Sequence, residues 1–393
     1  MINFCKDLIL KIAECGKKNS SSPALDEIEV FKYYFDDNHN LDYRLLNERD
    51  GSCTRRELIL RFLLLSAVID QGPDIIGVRK LLIDVTNSLY RKEVRFLHTP
   101  LSFFSELGLS IDSIIDAHTS IKGIRAAIWA KENQSSAIRY NLFMDNSNQA
   151  LNYAIFRWGV PLALPMLLAY DNKDIDVNPN LLTDYLETYK SAEEMSDKLK
   201  SHERYGLGKA IGNKASHLYA KWMISSVKLN RRKDSGWSDW SYEVPYDSNA
   251  GRVLWRTGYF EKWASLEEYK KKSVVQPNRG KGGTNYLRIT NIRGIKTSTD
   301  LSKHYIELYN DLCTKLLKTH KRTPKTIEIQ RIQHLFLMES KEKFSVADFD
   351  DGLIWIGTNF CFNHSTPLCH QCPINTLCEG FNHQPELIQN YRT

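Results

Sequence analysis

Long apolar runs are missing from this chain. No stretch reaches the ~18–20 apolar residues that a membrane span requires. The longest candidates, Leu58 to Ile69 and Val160 to Tyr170, are short enough to read as buried helices. The opening residues Met1-Ile2-Asn3-Phe4-Cys5-Lys6-Asp7 show no basic segment followed by an apolar one. No secretory signal is therefore expected, and a cytoplasmic, reducing setting follows. Internal repeats and low-complexity tracts are also absent, which removes repeat architectures. Strand-like alternation is scarce, Tyr286-Leu287-Arg288-Ile289-Thr290 being the one short instance, and this points away from a β fold. Acidic residues are missing from Tyr269 to Thr299, a stretch that carries Lys270, Lys271, Lys272, Arg279, Lys281, Arg288, Arg293 and Lys296.

What is present fits a helical globular protein. The 393 residues allow one large domain or two modest ones, and 42% hydrophobic with 25% charged residues is enough to build a core. A net charge of +6 does not by itself announce a nucleic-acid partner, so the distribution of charge matters more than its sum. Thr54-Arg55-Arg56-Glu57 has the form of a capping box that opens a helix over Leu58–Asp70. Further helices are predicted over 75–90, 148–158, 181–200, 213–226, 300–319, 327–339 and 346–355. Asp171 to Asn180 reads as a polar, turn-rich linker. The acid-free stretch includes the run Asn278-Arg279-Gly280-Lys281-Gly282-Gly283, which suits either a solvated surface or contact with phosphates.

Eight cysteines in a reducing compartment argue against structural disulfides, and four of them crowd near the C-terminus. Cys361, Cys369, Cys372 and Cys378 are spaced C-x7-C-x2-C-x5-C. Four thiolates within reach of one another can hold zinc or an iron–sulfur cluster. Structural zinc sites usually pair two short C-x2-4-C knuckles. Here only Cys369 and Cys372 form one, and such uneven spacing suits the wider corners of a cubane better. Unrelated buried thiols are the bland alternative, against which the interleaved Pro367 and Pro373 and the closing Gly380 weigh.

The segment Asp348 to Cys361 resembles the helix that leads to the first cluster cysteine in endonuclease III-like DNA glycosylases of the helix-hairpin-helix superfamily. Cys369 to Cys378 resembles the rest of that loop, with seven residues between the first two cysteines where the family usually has six. Glu243 to Gly258 is similar to the superfamily's catalytic segment, in which Pro precedes the catalytic Asp, Arg-Val follows five residues on and another Arg three later. Asp247, Arg252, Val253 and Arg256 take those places. Read without the resemblance, Asp247 is more readily the N-cap of a helix from Ser248 to Thr257.

The resemblance implies further roles. Ala210-Ile211-Gly212-Asn213-Lys214-Ala215 resembles the hairpin followed by a helix-starting lysine, which makes Lys214 the nucleophile at C1′ in bifunctional members. Ala210 stands where the hairpin has its first Gly, and Leu229 to Tyr242 looks inserted between Lys214 and Asp247. Lys209, Lys221 and Lys228 are the competing lysines. Backbone N–H groups at Gly212 and Asn213 would hold a DNA phosphate, joined by Arg252, Arg279 and Lys281. Leu64 to Asp74 resembles the helix-to-loop segment whose Gln enters the duplex, here Gln71, which otherwise belongs to a plain Gln-Gly-Pro turn.

The fold so implied is all-α and two-lobed. A helical barrel lobe would span 53–255 with an insertion at about 134–200. An iron–sulfur cluster lobe would join 1–52 to 256–393. The implied cofactor is a 4Fe–4S cluster, and the implied partner is double-stranded DNA with a damaged or modified base, bound by a monomer. Two other classes remain open at this point: a cluster-bearing DNA-binding module without catalysis, and a zinc protein.

Overall fold

The structure is a computed structural model and describes residues 2–69, 75–99, 182–201, 213–232, 244–245, 248–259, 262, 288–289, 307, 327–342, 344–362 and 365–389. These residues are mostly helical, consistent with an all-α protein, with two minor two-stranded ribbons among them. In chain order the helices are α1 (Ile2–Lys18), α2 (Arg55–Ile69), α3 (Ile75–Arg91), α4 (Leu182–Leu186), α5 (Ala192–Ser201), α6 (Asn213–Lys221), α7 (Ser248–Arg256), α8 (Ile329–Met338), α9 (Val346–Asn359), α10 (Glu379–Asn382) and α11 (Glu386–Gln389). One ribbon pairs β1 (Arg49–Asp50) with β2 (Cys53–Thr54), the other β3 (Arg288–Ile289) with β4 (Ile327–Glu328), both antiparallel. No described helix is long and apolar enough to cross a membrane.

Chain contacts divide the protein into two compact units. The first comprises residues 1–22, 189–196 and 212–393, the second 23–188 and 197–211. The predicted helices at 148–158 and 300–319 lie outside the described residues, Glu307 excepted.

In the second unit α2 lies at the centre, with Leu58, Ile59, Leu60, Leu63, Leu64 and Leu65 all fully buried. Its start departs from the expected capping box. Thr54 Oγ1 does accept from Glu57 N at 3.2 Å. The Glu57 carboxylate, however, faces inward and accepts from Leu182 N at 2.6 Å, Thr183 N at 2.9 Å and Thr183 Oγ1 at 2.6 Å, so it caps α4 instead. Arg61 supplies the counter-charge at 2.8 Å and donates to the Leu97 and His98 carbonyls. An apolar helix can bury this carboxylate because every lone pair has a donor.

In the first unit α1 packs along α9. The residues that allow it are Gly16 and Gly352. A Cβ on Gly352 would come within 2.0 Å of the Ile12 carbonyl, and one on Gly16 within 1.8 Å of the Asp348 carbonyl. The two helix backbones therefore touch directly. α9 opens with a full capping box in which Asp348 N donates to Ser345 Oγ at 3.1 Å and Ser345 N donates to Asp348 Oδ2 at 2.7 Å. Ile9, Ile12, Val253, Phe336, Phe349 and Leu353 are fully buried in the shared core.

Candidate metal centre

The cysteine loop begins where α9 ends. Cys361 N donates to the Ile356 carbonyl at 2.9 Å, one turn back, which fixes the thiol at the helix C-terminus. Leu368 N then donates to the Phe360 carbonyl at 2.8 Å and draws the long first loop shut, bringing Cys369 back to Cys361. Cys369 starts a single 3-10 turn, with Cys372 N on the Cys369 carbonyl at 3.2 Å. A second turn over Asn375–Leu377 leads to Cys378, the residue before α10.

Cys361, Cys369, Cys372 and Cys378 all line one cavity, with Val253, Ile356 and Ile374 on its apolar side and an empty volume of ≈ 370 Å³ counted to its open mouth. All four are free and half-buried. Burial pushes the Cys372 thiol up to about 12 and the Cys378 thiol up to about 11, and the neighbouring cysteines push in the same direction. Four thiolates in such a place repel one another unless a bound cation neutralises them. The donor chemistry thus fits a metal group. Among the described residues, no three His, Cys, Asp or Glu side chains converge on a single ion.

α7 packs on this loop and explains two arginines. Arg256 Nη1 donates to Cys361 Sγ at 3.6 Å and to the Phe362 carbonyl at 2.5 Å. Arg252, expected from the sequence on the DNA side, is 5% exposed and faces the loop instead. Its Nε donates to the Cys361 carbonyl at 2.5 Å, and its Nη2 to the Gly357 carbonyl at 2.9 Å and Asn249 Oδ1 at 2.6 Å. The end of α9 leaves carbonyls without intrahelical partners, and a buried guanidinium satisfies them.

The other candidates are distributed as follows. Lys214 is the second residue of α6 and half-buried, and Asn213 opens that helix. Asp247, Gln71, Gly212, Arg279 and Lys281 lie outside the described residues; Val244 and Pro245, just before Asp247, are buried. Of the competing lysines, Lys221 is fully buried, with Nζ 2.6 Å from Asp350 Oδ2 and 2.8 Å from Asp351 Oδ1. Burial alone would lower its pKa, but the two carboxylates outweigh that and hold it above the ordinary lysine value. An amine so held is no nucleophile. Sequence reasoning missed this pair of carboxylates, although two adjacent acids inside the apolar Val346–Ile356 stretch were a signal that a cation must meet them.

The Asp351 carboxyl would be raised by burial, yet Lys221 and Ser21 hold it below its usual range. A depressed carboxyl adds stability above its unfolded-state pKa and loses it as pH falls through the folded one. Lys221, held high, contributes throughout the neutral range. The urea midpoint should therefore fall as pH drops below about 4, and Asp351→Asn should flatten that fall.

No protein-family model, curated protein or solved structure matches this chain.

Proposed function

We propose that this chain is an iron–sulfur DNA glycosylase that releases a damaged or modified base from double-stranded DNA. The observation that carries the reading is the packing of α7 on the cysteine loop. The two segments that bear the resemblance, 243–258 and 361–378, are far apart in sequence, yet Arg252 and Arg256 bond both to Cys361 and to its neighbours. Cys361, Cys369, Cys372 and Cys378 would hold a 4Fe–4S cluster, a staple across the loop that can also store an electron. A cavity with four thiols on its wall offers the four ligands that such a cluster needs. The architecture proposed is the two-lobed helix-hairpin-helix one, in an intracellular monomer.

Breaking an N-glycosidic bond develops positive charge on the deoxyribose. The Asp247 carboxylate stabilises that charge and accepts the proton of the attacking group. Lys214 is the proposed nucleophile at C1′, its amine forming a Schiff base whose elimination opens the strand. The base swings out of the duplex, and Gln71 fills the space it leaves. Gly212 and Asn213 offer backbone N–H groups to a phosphate, and Arg279 and Lys281 add charge there.

A second reading, a DNA-binding module without catalysis, has one observation behind it: α7 begins at Ser248, the residue that follows Asp247 in the sequence, and aspartate before a helix is a common cap. Asp247→Asn separates the two, because asparagine caps as well as aspartate but carries no charge. Single-turnover base release from duplexes with modified bases should fall at least ~100-fold, with duplex affinity and melting temperature unchanged. Parallel loss of binding and release, or no loss of release, would refute the catalytic reading.

A further inference from the structure

The Lys221 pair has a place in the fold that goes beyond holding a core together. Lys221 is the last residue of α6, and the chain then widens into a π-helical turn over Trp222–Ser226. That turn closes with Val227 N on the Trp222 carbonyl at 2.8 Å and Leu229 N on the Met223 carbonyl at 2.7 Å, and Lys228 follows at φ +52°. Widened turns and left-handed non-glycine residues persist only where their surroundings enforce them. The buried triad stands at the entry to that turn, Lys221 being the residue before Trp222. Lys221 Nζ meets Asp350 and Asp351 of α9, and Asp351 also accepts from Ser21 Oγ at 2.5 Å and Ser20 Oγ at 3.3 Å. One ammonium thus ties the end of α6, the middle of α9 and the segment after α1.

Lys214 lies seven residues before Lys221 in the same helix. Seven residues bring a helix back to almost the same angle, two turns or roughly 10 Å along the axis. The two lysines therefore share a face, and whatever fixes the rotation and depth of α6 at Lys221 fixes them at Lys214.

We propose that Lys221 is a positioning residue, which through Asp350 and Asp351 sets the helix rotation that presents the Lys214 amine to the sugar. This rests on the reading of Lys214 as nucleophile. A buried ion cluster exchanged for neutral side chains of similar volume generally leaves a protein folded. The triple variant Lys221→Met/Asp350→Asn/Asp351→Asn should thus keep its fold and iron content while losing the directional tie. Small displacements of a reacting group slow chemistry steeply. With the full chain carrying its cluster, single-turnover borohydride trapping on an abasic duplex should slow at least ~10-fold in the triple variant, with affinity for that duplex unchanged. Lys221→Arg, which keeps the charge but is longer and planar, gives a second arm: trapping should slow at the same unchanged affinity. A purely structural triad predicts trapping and affinity falling together or not at all, and either variant trapping at the wild-type rate overturns the positioning role. Wild-type protein that fails to trap, or Lys214→Gln that still traps, overturns the nucleophile reading itself and is told apart by those controls.

Discussion

Replacing Gly352 by alanine should destabilise the protein by about 2–4 kcal/mol, although alanine is the better helix former. Propensity alone favours the change by ~1 kcal/mol at an exposed helix interior. Here the new methyl would stand 2.0 Å from the Ile12 carbonyl oxygen and 2.9 Å from Ile12 Cγ2. The first clash is with backbone, which no rotamer change relieves, so α1 and α9 must move apart. That separation opens the packing of Ile9, Ile12, Phe349 and Leu353, all fully buried. Gly16→Ala should act in the same direction, since its Cβ meets the Asp348 carbonyl at 1.8 Å and the Gly352 N at 2.4 Å. The measurement is the urea midpoint at unchanged slope. A midpoint equal to or above wild type for Gly352→Ala would mean that the two backbones do not touch.

Arg252→Met should cost about 3 kcal/mol, more than the loss of an arginine from a surface. Methionine replaces the stem but removes the buried hydrogen bond to the Gly357 carbonyl and the part-buried one to the Cys361 carbonyl. Buried acceptors left without a partner carry a desolvation penalty of ~1–3 kcal/mol each in the worst case, and water entering the gap recovers part of it. Arg252→Lys should recover little, because an ammonium cannot match the planar fork that reaches two carbonyls at once. Iron bound per chain should fall alongside the melting temperature, since the Cys361 carbonyl anchors the first proposed ligand. Unchanged iron content and a drop below ~0.5 kcal/mol would contradict the packing of α7 on the loop.

The helical class was legible because apolar periodicity is a local signal. α2, α3 and α9 fall within a few residues of their expected positions. The expected helix over 181–200 instead breaks into α4 and α5, because Ser191 Oγ accepts from Glu194 N at 3.0 Å and Glu194 Oε2 from Lys190 N at 2.8 Å. That local cap outweighed the longer period. The expected helix over 213–226 turns π-helical from Trp222, for which propensity has no signature. The four cysteines were legible from spacing, and they line one cavity. Partners that meet only in three dimensions were not. Arg252 read as a phosphate contact because its type and position suggested one, whereas its acceptors are the Gly357 carbonyl in the last turn of α9 and the Cys361 carbonyl just beyond it. Lys221 and its carboxylates lie 129 and 130 residues apart, beyond any local pattern.

The contacts of α1 with α9 and with the end of α8 also have a consequence in time. Lys6 and Glu339, which bond at 3.0 Å, are separated by 333 residues. At synthesis rates of roughly 5–20 residues per second, α1 waits roughly 15–70 s for its mate to leave the ribosome. Residues 23–188 and 197–211 of the other unit have all emerged well before then. Birth order therefore favours completion of that unit first, while the amphipathic first helix remains exposed to chaperones and to sticking until the last fifth of the chain arrives.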